Sequence, residues 1–237
     1  LHSEYIIQLH GIVNDNAYCH YQLAFEYMNG GTLDSYIMCQ RRRKKDVLKI
    51  EIALAIARGL HELHSHKIVH RDLRSRKILL STDGRVKLSD FGFTRHNPAM
   101  EPHYSDWNAS VLSSESDIEI ASIGSSAQSN YTPVAASLWT APEALYDDHS
   151  YKIENDIYSF GVILIELDTL KAPSSCNIKQ ITEVEEGLAE FQLGSNCEPW
   201  YKVLVERCLS FDPKKRPDSF DIVRELERYQ SRQSVMI

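Results

Sequence analysis

The chain has 237 residues, 43% of them apolar and 25% charged, which is typical of a globular protein with a sizeable core. Its 33 acidic residues outnumber the 26 basic ones, and the net charge of −7 gives no reason to expect nucleic acid as the partner. No apolar run approaches the roughly 18 residues of a membrane span, and no signal peptide opens the sequence.

The cysteine pattern indicates the cellular compartment of the protein. There are five, an odd number, and no two have the C-x-x-C spacing of a zinc or redox site. This pattern predicts a reducing compartment and no disulfide framework, so we expect the chain in the cytoplasm or on the cytoplasmic side of a larger protein. Because the first residue is Leu1 rather than Met, we also expect an excerpt of something longer.

Two β-strands are predicted near the N-terminus. Residues 5–13 and 20–27 are rich in β-branched and aromatic side chains, and the polar residues 14–16 between them are typical of a turn. The residues Asn-Gly-Gly at 29–31 end the second strand. Thr32 then offers a suitable N-cap for a short helix.

The middle of the chain predicts a helix followed by a hairpin. Residues 47–64 carry apolar side chains at helical spacing, which indicates an amphipathic helix with one buried face. The apolar runs 78–80 and 86–88 flank an Asp-Gly pair, which is a strong hairpin signal. The apolar positions of the helix are Leu48, Ile52, Ile56, Leu60 and Leu63.

The C-terminal half combines a polar stretch with helices. Residues 97–136 are rich in serine and acidic residues without a sustained apolar period, so we expect a flexible surface loop there. Residues 156–170 are nearly all apolar and predict a buried central helix. Residues 200–209 and 219–229 predict amphipathic helices.

Four short signals follow one another in a fixed order. They are HRDL at 70–73, DFG at 90–92, APE at 141–143 and the apolar helix that opens at Asp156. The hairpin predicted between the first two has the length that brings their aspartates to one edge of a cleft. With these signals in this order, the sequence resembles the protein-kinase family over essentially its whole length.

The resemblance implies a two-lobed α+β kinase fold, seen here mainly as the helical C-terminal lobe, residues 29–232. Residues 1–28 would be a remnant of the N-terminal lobe, with its last strands and the hinge, and residues 97–136 an insertion in the activation segment. LSDFGFTR, SLWTAPE and DIYSFGVILIELDT are most similar to the tyrosine-kinase-like group, in a form that resembles kinases expanded in oomycetes. Members of that group usually phosphorylate Ser and Thr of proteins.

The resemblance assigns roles to residues around the nucleotide. Asp72 would be the base that orients the substrate hydroxyl, and Arg74 would lie near the transferred phosphate. Asp90 would bind the Mg²⁺ that bridges the phosphates of ATP. The hinge would hold adenine through the backbone of Glu26 and Met28.

Other matched positions imply structural or regulatory roles. Glu143 and Arg216 would form an ion pair in the C-terminal lobe. Asp156 would hold the catalytic loop by accepting hydrogen bonds from backbone N–H groups. The full set of matched structural and regulatory positions is His70, Arg71, Phe91, Gly92, Glu143, Asp156 and Arg216.

Hydrophobic side chains are also implied to connect the two lobes. By the resemblance, His70, Phe91 and Leu9 would stack as part of a spine that joins the lobes. Phe25 matches the gatekeeper position, where it would close the pocket behind adenine, and it is otherwise an ordinary core residue. Both interpretations of Phe25 are compatible with the sequence.

The sequence departs from the family pattern at its start and in the catalytic loop. It contains no glycine-rich phosphate loop, strand lysine or helix glutamate, and its ten glycines never form G-x-G-x-x-G. Lys77 replaces the asparagine that binds metal, and an ammonium group has three donors but no lone pair for a cation. Lys77 would either pair with Asp90 or a phosphate, supplying part of the missing cation's charge, or turn to solvent.

A third departure lies in the activation segment. Ala135 and Ala136 replace the Gly-Thr of Ser/Thr-specific relatives, so the hydroxyl that bridges the catalytic base and the phosphate-binding residue is missing. The segment between Gly92 and Ala141 is also longer than the family usually has. Its serine-rich insertion is either a phosphorylation-dependent switch or neutral loop growth.

Two functional interpretations follow from the resemblance and the departures. In the first, the chain is a protein kinase domain with weak or impaired phosphoryl transfer to Ser or Thr, using ATP and Mg²⁺ with the metal held weakly because of Lys77. In the second, it is a catalytically dead pseudokinase that acts as a binding scaffold or regulates a real kinase. The expected partners are ATP and either a protein substrate or a regulated kinase.

Overall fold

Short antiparallel strands and helices alternate in the first third of the chain, and helices dominate the rest. The computed structural model describes residues 3–15, 20–43, 48–92, 94–96, 138–145, 152–172 and 193–235. The strands in these ranges are β1 (Leu9–Asp15), β2 (His20–Phe25), β3 (Gly31–Thr32), β4 (Ile68–Val69), β5 (Ile78–Leu80), β6 (Val86–Leu88) and β7 (Arg95–His96). The α-helices are α1 (Leu33–Arg43), α2 (Lys49–Ser65), α3 (Ile153–Thr169), α4 (Pro199–Cys208) and α5 (Ser219–Val235).

The first predicted strand begins later than expected. Strands β1 and β2 pair antiparallel, and the strand pairing of β1 still includes Asp15, where a turn was predicted. The residues before Leu9 instead bond to β6: the N–H of Leu88 donates to Tyr5 at 2.8 Å, and the N–H of Ile7 donates to Leu88 at 2.9 Å. Asn16, the last residue of the predicted turn, lies outside the described residues.

The predicted hairpin is confirmed. Strands β5 and β6 pair antiparallel with Ile78 opposite Leu88, and β3 adds to the other edge of β5. Gly84 in the connecting turn has φ of 90°, a left-handed conformation that glycine adopts without steric cost. The hairpin connects the HRDL motif to the DFG motif.

Helix α2 buries the face that the sequence predicts, with one exception. Ile52, Ile56 and Leu60 are buried in the core. The helix begins at Lys49, however, so Leu48 precedes its first turn and is 63% exposed. The prediction that Leu48 belongs to the buried face is therefore wrong, because that residue has no helical face to share.

Helix α3 is the centre of the described core, as predicted for an apolar segment. Every residue from Asn155 to Leu167 is buried. Helices α2 and α4 both pack against it, and α5 packs on α2. A Cβ atom at Gly161 would lie 2.8 Å from the Cβ of Cys208, so the close approach of α3 and α4 requires glycine there.

The sheet formed by β1 and β2 carries apolar side chains that remain exposed. Ile12, Tyr21 and Leu23 on these strands, and Tyr27 just beyond them, are all exposed to solvent. Strand composition therefore predicted the strands correctly, but the described residues supply no covering layer for these side chains. The division into parts at 1–28 and 29–232 stays a prediction.

Several expectations fall outside the described residues. They include the serine-rich insertion at 97–136, together with Ala135 and Ala136. The same holds for Cys19 and Cys176, while Cys39, Cys197 and Cys208 are free thiols. In the described ranges, no helix is both long and apolar enough to cross a membrane.

Candidate active site

The loop that carries the HRDL motif is anchored to the central helix. It runs from β4 to β5 and ends in a 3₁₀ turn, Ser75–Lys77. The buried carboxylate of Asp156 on α3 accepts the backbone N–H of His70 at 2.8 Å and that of Arg71 at 3.0 Å. The predicted anchoring role of Asp156 is thus present in the structure.

Two residues of the site have a left-handed backbone, which the sequence did not indicate. Arg71 has φ of 70° and Asp90 has φ of 63°. For residues other than glycine such conformations cost on the order of 1–3 kcal/mol, and they persist only when surrounding contacts hold them. At Arg71 the hydrogen bond from its N–H to Asp156 is one such contact.

His70 packs behind the DFG motif. Its ring lies 5.4 Å from that of Phe91, and its Nε2–H donates to the carbonyl of Ser89 at 3.2 Å. Burial lowers the pKa of His70, so the ring is neutral. Leu9 is 42% exposed and lies outside the core against which Phe91 packs, so the structure does not place Leu9 in this stack.

Lys77 joins the two aspartates of the motifs. Its ammonium pairs with the carboxylate of Asp90 and lies 3.4 Å from that of Asp72. The side chain of Lys77 is only 16% exposed, so the alternative that it turns to solvent is wrong. Arg74 completes the cluster, since its guanidinium donates to the same oxygen of Asp72 at 3.2 Å.

This arrangement places two cations on two carboxylates. The hydrogen bond from Lys77 holds the pKa of Asp90 below its usual range, so Asp90 is ionised near neutral pH. In the described ranges, no group of three or more His, Cys, Asp or Glu side chains could hold a metal ion. The ammonium occupies the space between the acidic groups that a second cation would need.

The hinge segment is held by a network of charged side chains. The carboxylate of Glu26 accepts the N–H of Gln8 at 2.8 Å and the ammonium of Lys87 at 2.5 Å, while Arg85 donates at 3.2 Å. Although burial opposes ionisation, the hydrogen bonds from Lys87 and Gln8 lower the pKa of Glu26. Sequence reasoning considered only the backbone here and missed this network.

The role of the hinge backbone in holding adenine stays a prediction. The N–H of Glu26 donates to the carbonyl of Gln8 at 2.9 Å, so Glu26 has only its carbonyl to offer a nucleotide. Met28 is buried. Phe25 is 45% exposed, so it does not pack in the core of the described residues.

The predicted ion pair between Glu143 and Arg216 is present. The two carboxylate oxygens accept from the guanidinium at 2.6 and 2.9 Å, a bidentate geometry. Arg216 also donates to the carbonyls of Ser210 and Glu154, and its side chain is fully buried. The pair holds the APE segment to α3 and to the turn before α5.

A second buried acid, Glu166, was missed at the sequence level. It lies on α3, where it accepts the hydroxyl of Ser75 at 2.9 Å and the indole N–H of Trp139 at 3.0 Å. Burial raises its pKa to about 7. The signal in the sequence was an acidic residue inside the apolar run FGVILIEL.

Glu166 makes the stability of the fold depend on pH. Its pKa is raised from 4.5 in the unfolded chain to about 7 in the folded one, so the folded state binds more protons between these values. Folding stability from this group is therefore fully present below about pH 4.5 and is lost as pH rises through about 7. We expect Glu166→Gln to remove this part of the pH dependence, as measured by urea unfolding at pH 5 and pH 8. An unchanged difference between the two pH values would contradict the assignment to Glu166.

A small cleft opens beside the cluster. Its lining includes Asp72 and Arg74 from the catalytic loop, and Trp139 and Thr140 from the segment before APE. It therefore brings a carboxylate acceptor and a cation to the same opening. A hydroxyl group that enters the cleft can contact the carboxylate of Asp72.

Comparison with known proteins agrees with this geometry. A model described as protein kinase domain matches residues 1–226. The chain belongs to the protein kinase family. It is 32% identical over 219 residues to the serine/threonine/tyrosine-protein kinase HT1 of Arabidopsis thaliana, which covers 88% of the chain and 47% of the relative.

Two further kinases are similar at lower identity. The chain is 29% identical over 204 residues to the RGS domain-containing serine/threonine-protein kinase A of Dictyostelium discoideum, covering 85% of the chain and 16% of that protein. It is 27% identical over 235 residues to the MAP kinase kinase MKK1/SSP32 of Saccharomyces cerevisiae, covering 91% and 40%. The chain thus spans less than half the length of each of these relatives.

The structure brings most of the predicted kinase residues into one region. Asp72, Arg74, Lys77 and Asp90 form a single cluster, and Phe91 packs on His70 behind it. Gly92 follows directly and approaches the carboxylate of Asp90. The carboxylate of Glu26 in the hinge belongs to a separate charged network with Lys87 and Arg85.

Proposed function

We propose that this chain is the catalytic-loop part of a protein kinase of the tyrosine-kinase-like group, which transfers the terminal phosphoryl group of ATP weakly to Ser or Thr of proteins. The observation that carries this proposal is the cluster in which Lys77 bridges Asp72 and Asp90. The residues for proton acceptance and charge stabilisation are in one place. In this proposal, the presence of Lys77 in place of asparagine lowers the rate of phosphoryl transfer.

Each side chain of the cluster has a separate task in this proposal. Asp72 accepts the proton of the substrate hydroxyl, with one oxygen engaged by Arg74 and Lys77 and the other available. Arg74 stabilises negative charge on the transferred group. The ammonium of Lys77 supplies a fixed positive charge beside Asp90, which a metal ion supplies in relatives with asparagine.

The donor set fits one magnesium ion better than two. Asp90 is partly exposed and ionised, so it can hold an ion together with phosphate oxygens of ATP. No lone pair is present at Lys77 for a second ion. Magnesium bound at Asp90 would neutralise phosphate charge, and members of the kinase family generally use ATP with Mg²⁺.

The second candidate function is a pseudokinase that binds a partner or regulates an active kinase. The specific observation in its favour is that Lys77 contacts both carboxylates. An ammonium that neutralises the base and the metal ligand together disfavours transfer. The lobe would then act through its surface, with a protein as the partner.

The cellular setting is part of the same proposal. ATP and a reduced thiol pool are both features of the cytoplasm. The free thiols at Cys39, Cys197 and Cys208 are compatible with that location. We propose that the protein lies in the cytoplasm or on the cytoplasmic side of a larger protein.

Nucleotide binding and phosphoryl transfer by the intact protein distinguish the two candidates. We expect Mg-ATP to raise its melting temperature by a few degrees and a generic Ser/Thr substrate to be labelled slowly. Asp72→Asn should abolish the labelling and leave the thermal shift, because Asp72 serves the hydroxyl rather than the nucleotide. Labelling that survives in Asp72→Asn would contradict the proposed kinase activity. A thermal shift without any labelling in the unmodified protein would favour the pseudokinase.

A further inference from the structure

The exposed side of helix α1 carries positive charges that the proposed chemistry does not use. Leu33 and Ile37 of this helix pack in the core. Met38 is 52% exposed, and Arg41 and Arg42 in the last turn are exposed as well. Because the whole chain has a net charge of −7, this local excess of arginine is opposite in sign to the protein around it. This side of α1 is therefore a candidate for recognition of a negatively charged partner.

Arg76 from the catalytic loop extends the charged side at the other end of the helix. Its Nε–H donates to the carboxylate of Asp34, in the first turn of α1, at 3.1 Å. Successive helix residues turn by about 100°, so residues four, seven and eight positions after Asp34 lie within an arc of about 100° that includes it. These residues are Met38, Arg41 and Arg42. We call Met38, Arg41, Arg42 and Arg76 the α1 strip.

The arginines of the α1 strip have hydrogen-bond donors to offer. A guanidinium group has five N–H donors, and Arg76 uses its Nε–H on Asp34. The side chain of Arg76 is 76% exposed. Among the residues that the structure describes, none bonds to the guanidinium of Arg41 or Arg42. The carboxylate of Asp34 balances one of these three positive charges, so the strip keeps a net positive charge.

The α1 strip begins beside the catalytic cluster. Arg76 directly precedes Lys77, whose ammonium lies 3.4 Å from the carboxylate of Asp72. From Asp34 to Arg42 the helix rises by about 12 Å, since each residue adds about 1.5 Å. An extended peptide covers that distance with about four residues. A peptide segment next to an acceptor hydroxyl can therefore lie along the strip.

The chemistry of the strip fits an acidic protein segment better than a nucleic acid or a membrane. Arginine pairs with a carboxylate through two parallel N–H bonds, and Met38 adds an apolar contact. The strip has no aromatic ring on which a base could stack. Met38 is its one apolar side chain, which is too little for insertion into a lipid surface. The net charge of −7 also opposes the approach of a large polyanion.

We propose that the α1 strip is a docking surface for an acidic segment of a protein, which gives the kinase a preference for substrates with glutamate or aspartate near the acceptor hydroxyl. The preference among substrates rests on the proposed kinase function, whereas the docking itself does not. In a pseudokinase the same surface would bind an acidic segment of a partner protein.

Docking is measured on the intact protein by fluorescence anisotropy. The probes are a labelled serine peptide with a run of glutamates and a matched peptide with glutamines. We expect the glutamate peptide to bind about tenfold more tightly, and high salt to reduce this difference because exposed charges are screened. Arg41→Gln combined with Arg42→Gln should remove most of the difference. Equal binding of both peptides by the unmodified protein would overturn the inference.

Arg224→Gln combined with Arg228→Gln is the matched control. Both of these arginines are exposed on α5, and the net charge changes by the same amount as in the α1 double variant. The control should bind the glutamate peptide as tightly as the unmodified protein does. An equal loss in the two double variants would mean that only net charge matters, which contradicts a docking surface on α1.

Other classes of partner are tested by competition. The competitors are a single-stranded RNA of mixed sequence and vesicles that contain phosphatidylserine, each at a concentration of charge matched to the glutamate peptide. We expect neither to displace the peptide. Displacement by either one would overturn the assignment of the strip to a protein segment.

Kinetics test the substrate preference separately from docking. KM for the glutamate peptide should be about tenfold lower than for the glutamine peptide, and the α1 double variant should lose this difference with KM for ATP unchanged. If no peptide is labelled, the kinase proposal fails while anisotropy still decides whether the strip binds acidic segments. If peptides are labelled without a preference for glutamate, only the inference fails.

Discussion

Replacing Lys77 by asparagine is expected to strengthen magnesium binding by about tenfold and to raise phosphoryl transfer by a similar factor. The substitution removes the ammonium that pairs with Asp90 and lies 3.4 Å from Asp72, and it provides a carboxamide oxygen. Unit charges about 4 Å apart interact by ~4 kcal/mol at an effective dielectric of 20, and partial exposure of Asp90 reduces this. The measurement is the Mg²⁺ dependence of the ATP-induced thermal shift, together with the rate of substrate labelling.

Lys77→Met is the control that separates the lost charge from the gained ligand. It removes the ammonium from both carboxylates, with Arg74 still bound to Asp72, but brings no oxygen, so magnesium binding should improve less than in Lys77→Asn. Adding Ala136→Thr to Lys77→Asn should raise transfer further if the missing activation-segment hydroxyl is also limiting. Unchanged magnesium dependence in both single variants would show that Lys77 does not compete with a metal ion.

Replacing Arg216 by methionine is expected to lower the free energy of unfolding by about 3–5 kcal/mol. The guanidinium is fully buried and bonds to both oxygens of Glu143 and to the carbonyls of Ser210 and Glu154. Methionine fills much of the volume but supplies none of these hydrogen bonds, so the carboxylate of Glu143 keeps the amide of Asn155 and loses its buried cation. Urea unfolding followed by circular dichroism gives the change directly.

An exposed ion pair on α4 provides the matched control. Lys202 and Glu206 are 3.8 Å apart and both are largely exposed, so Lys202→Met should change stability by less than about 0.5 kcal/mol. Arg216→Lys keeps the charge but cannot form the bidentate pair. Its loss of stability should therefore lie between those of Arg216→Met and Lys202→Met. Equal losses in Arg216→Met and Lys202→Met would mean that the buried pair contributes nothing beyond surface charge.

The sequence predicted the elements whose cause is local. The periodicity of α2, the Asp-Gly turn of the hairpin and the apolar run of α3 each depend on a few neighbouring residues, and each is confirmed. The start of β1 was misplaced because residues before Leu9 bond to β6, which lies far away in sequence. Leu48 was assigned to the buried face because the sequence pattern does not define the first residue of a helix to better than about one or two residues.

The residues of the candidate site that belong to the ordered motifs could be predicted from the sequence. Asp72, Asp90 and Asp156 could be placed before the structure was known, as could the pairing of Lys77 with Asp90. Glu166 could not, because its partners Ser75 and Trp139 come from loops that only the folded chain brings to α3. The left-handed backbone at Arg71 and Asp90 also depends on contacts from distant parts of the chain.

The bridge made by Lys77 has a consequence for how the site responds to its surroundings. A side chain attached to the loop is present at Asp90 at a high effective concentration, which dilution or chelation cannot lower. A free metal ion, in contrast, leaves when its concentration falls. The positive charge of Lys77 is therefore always present beside Asp72 and Asp90, whereas salt still weakens its interaction with Asp90, which is 47% exposed.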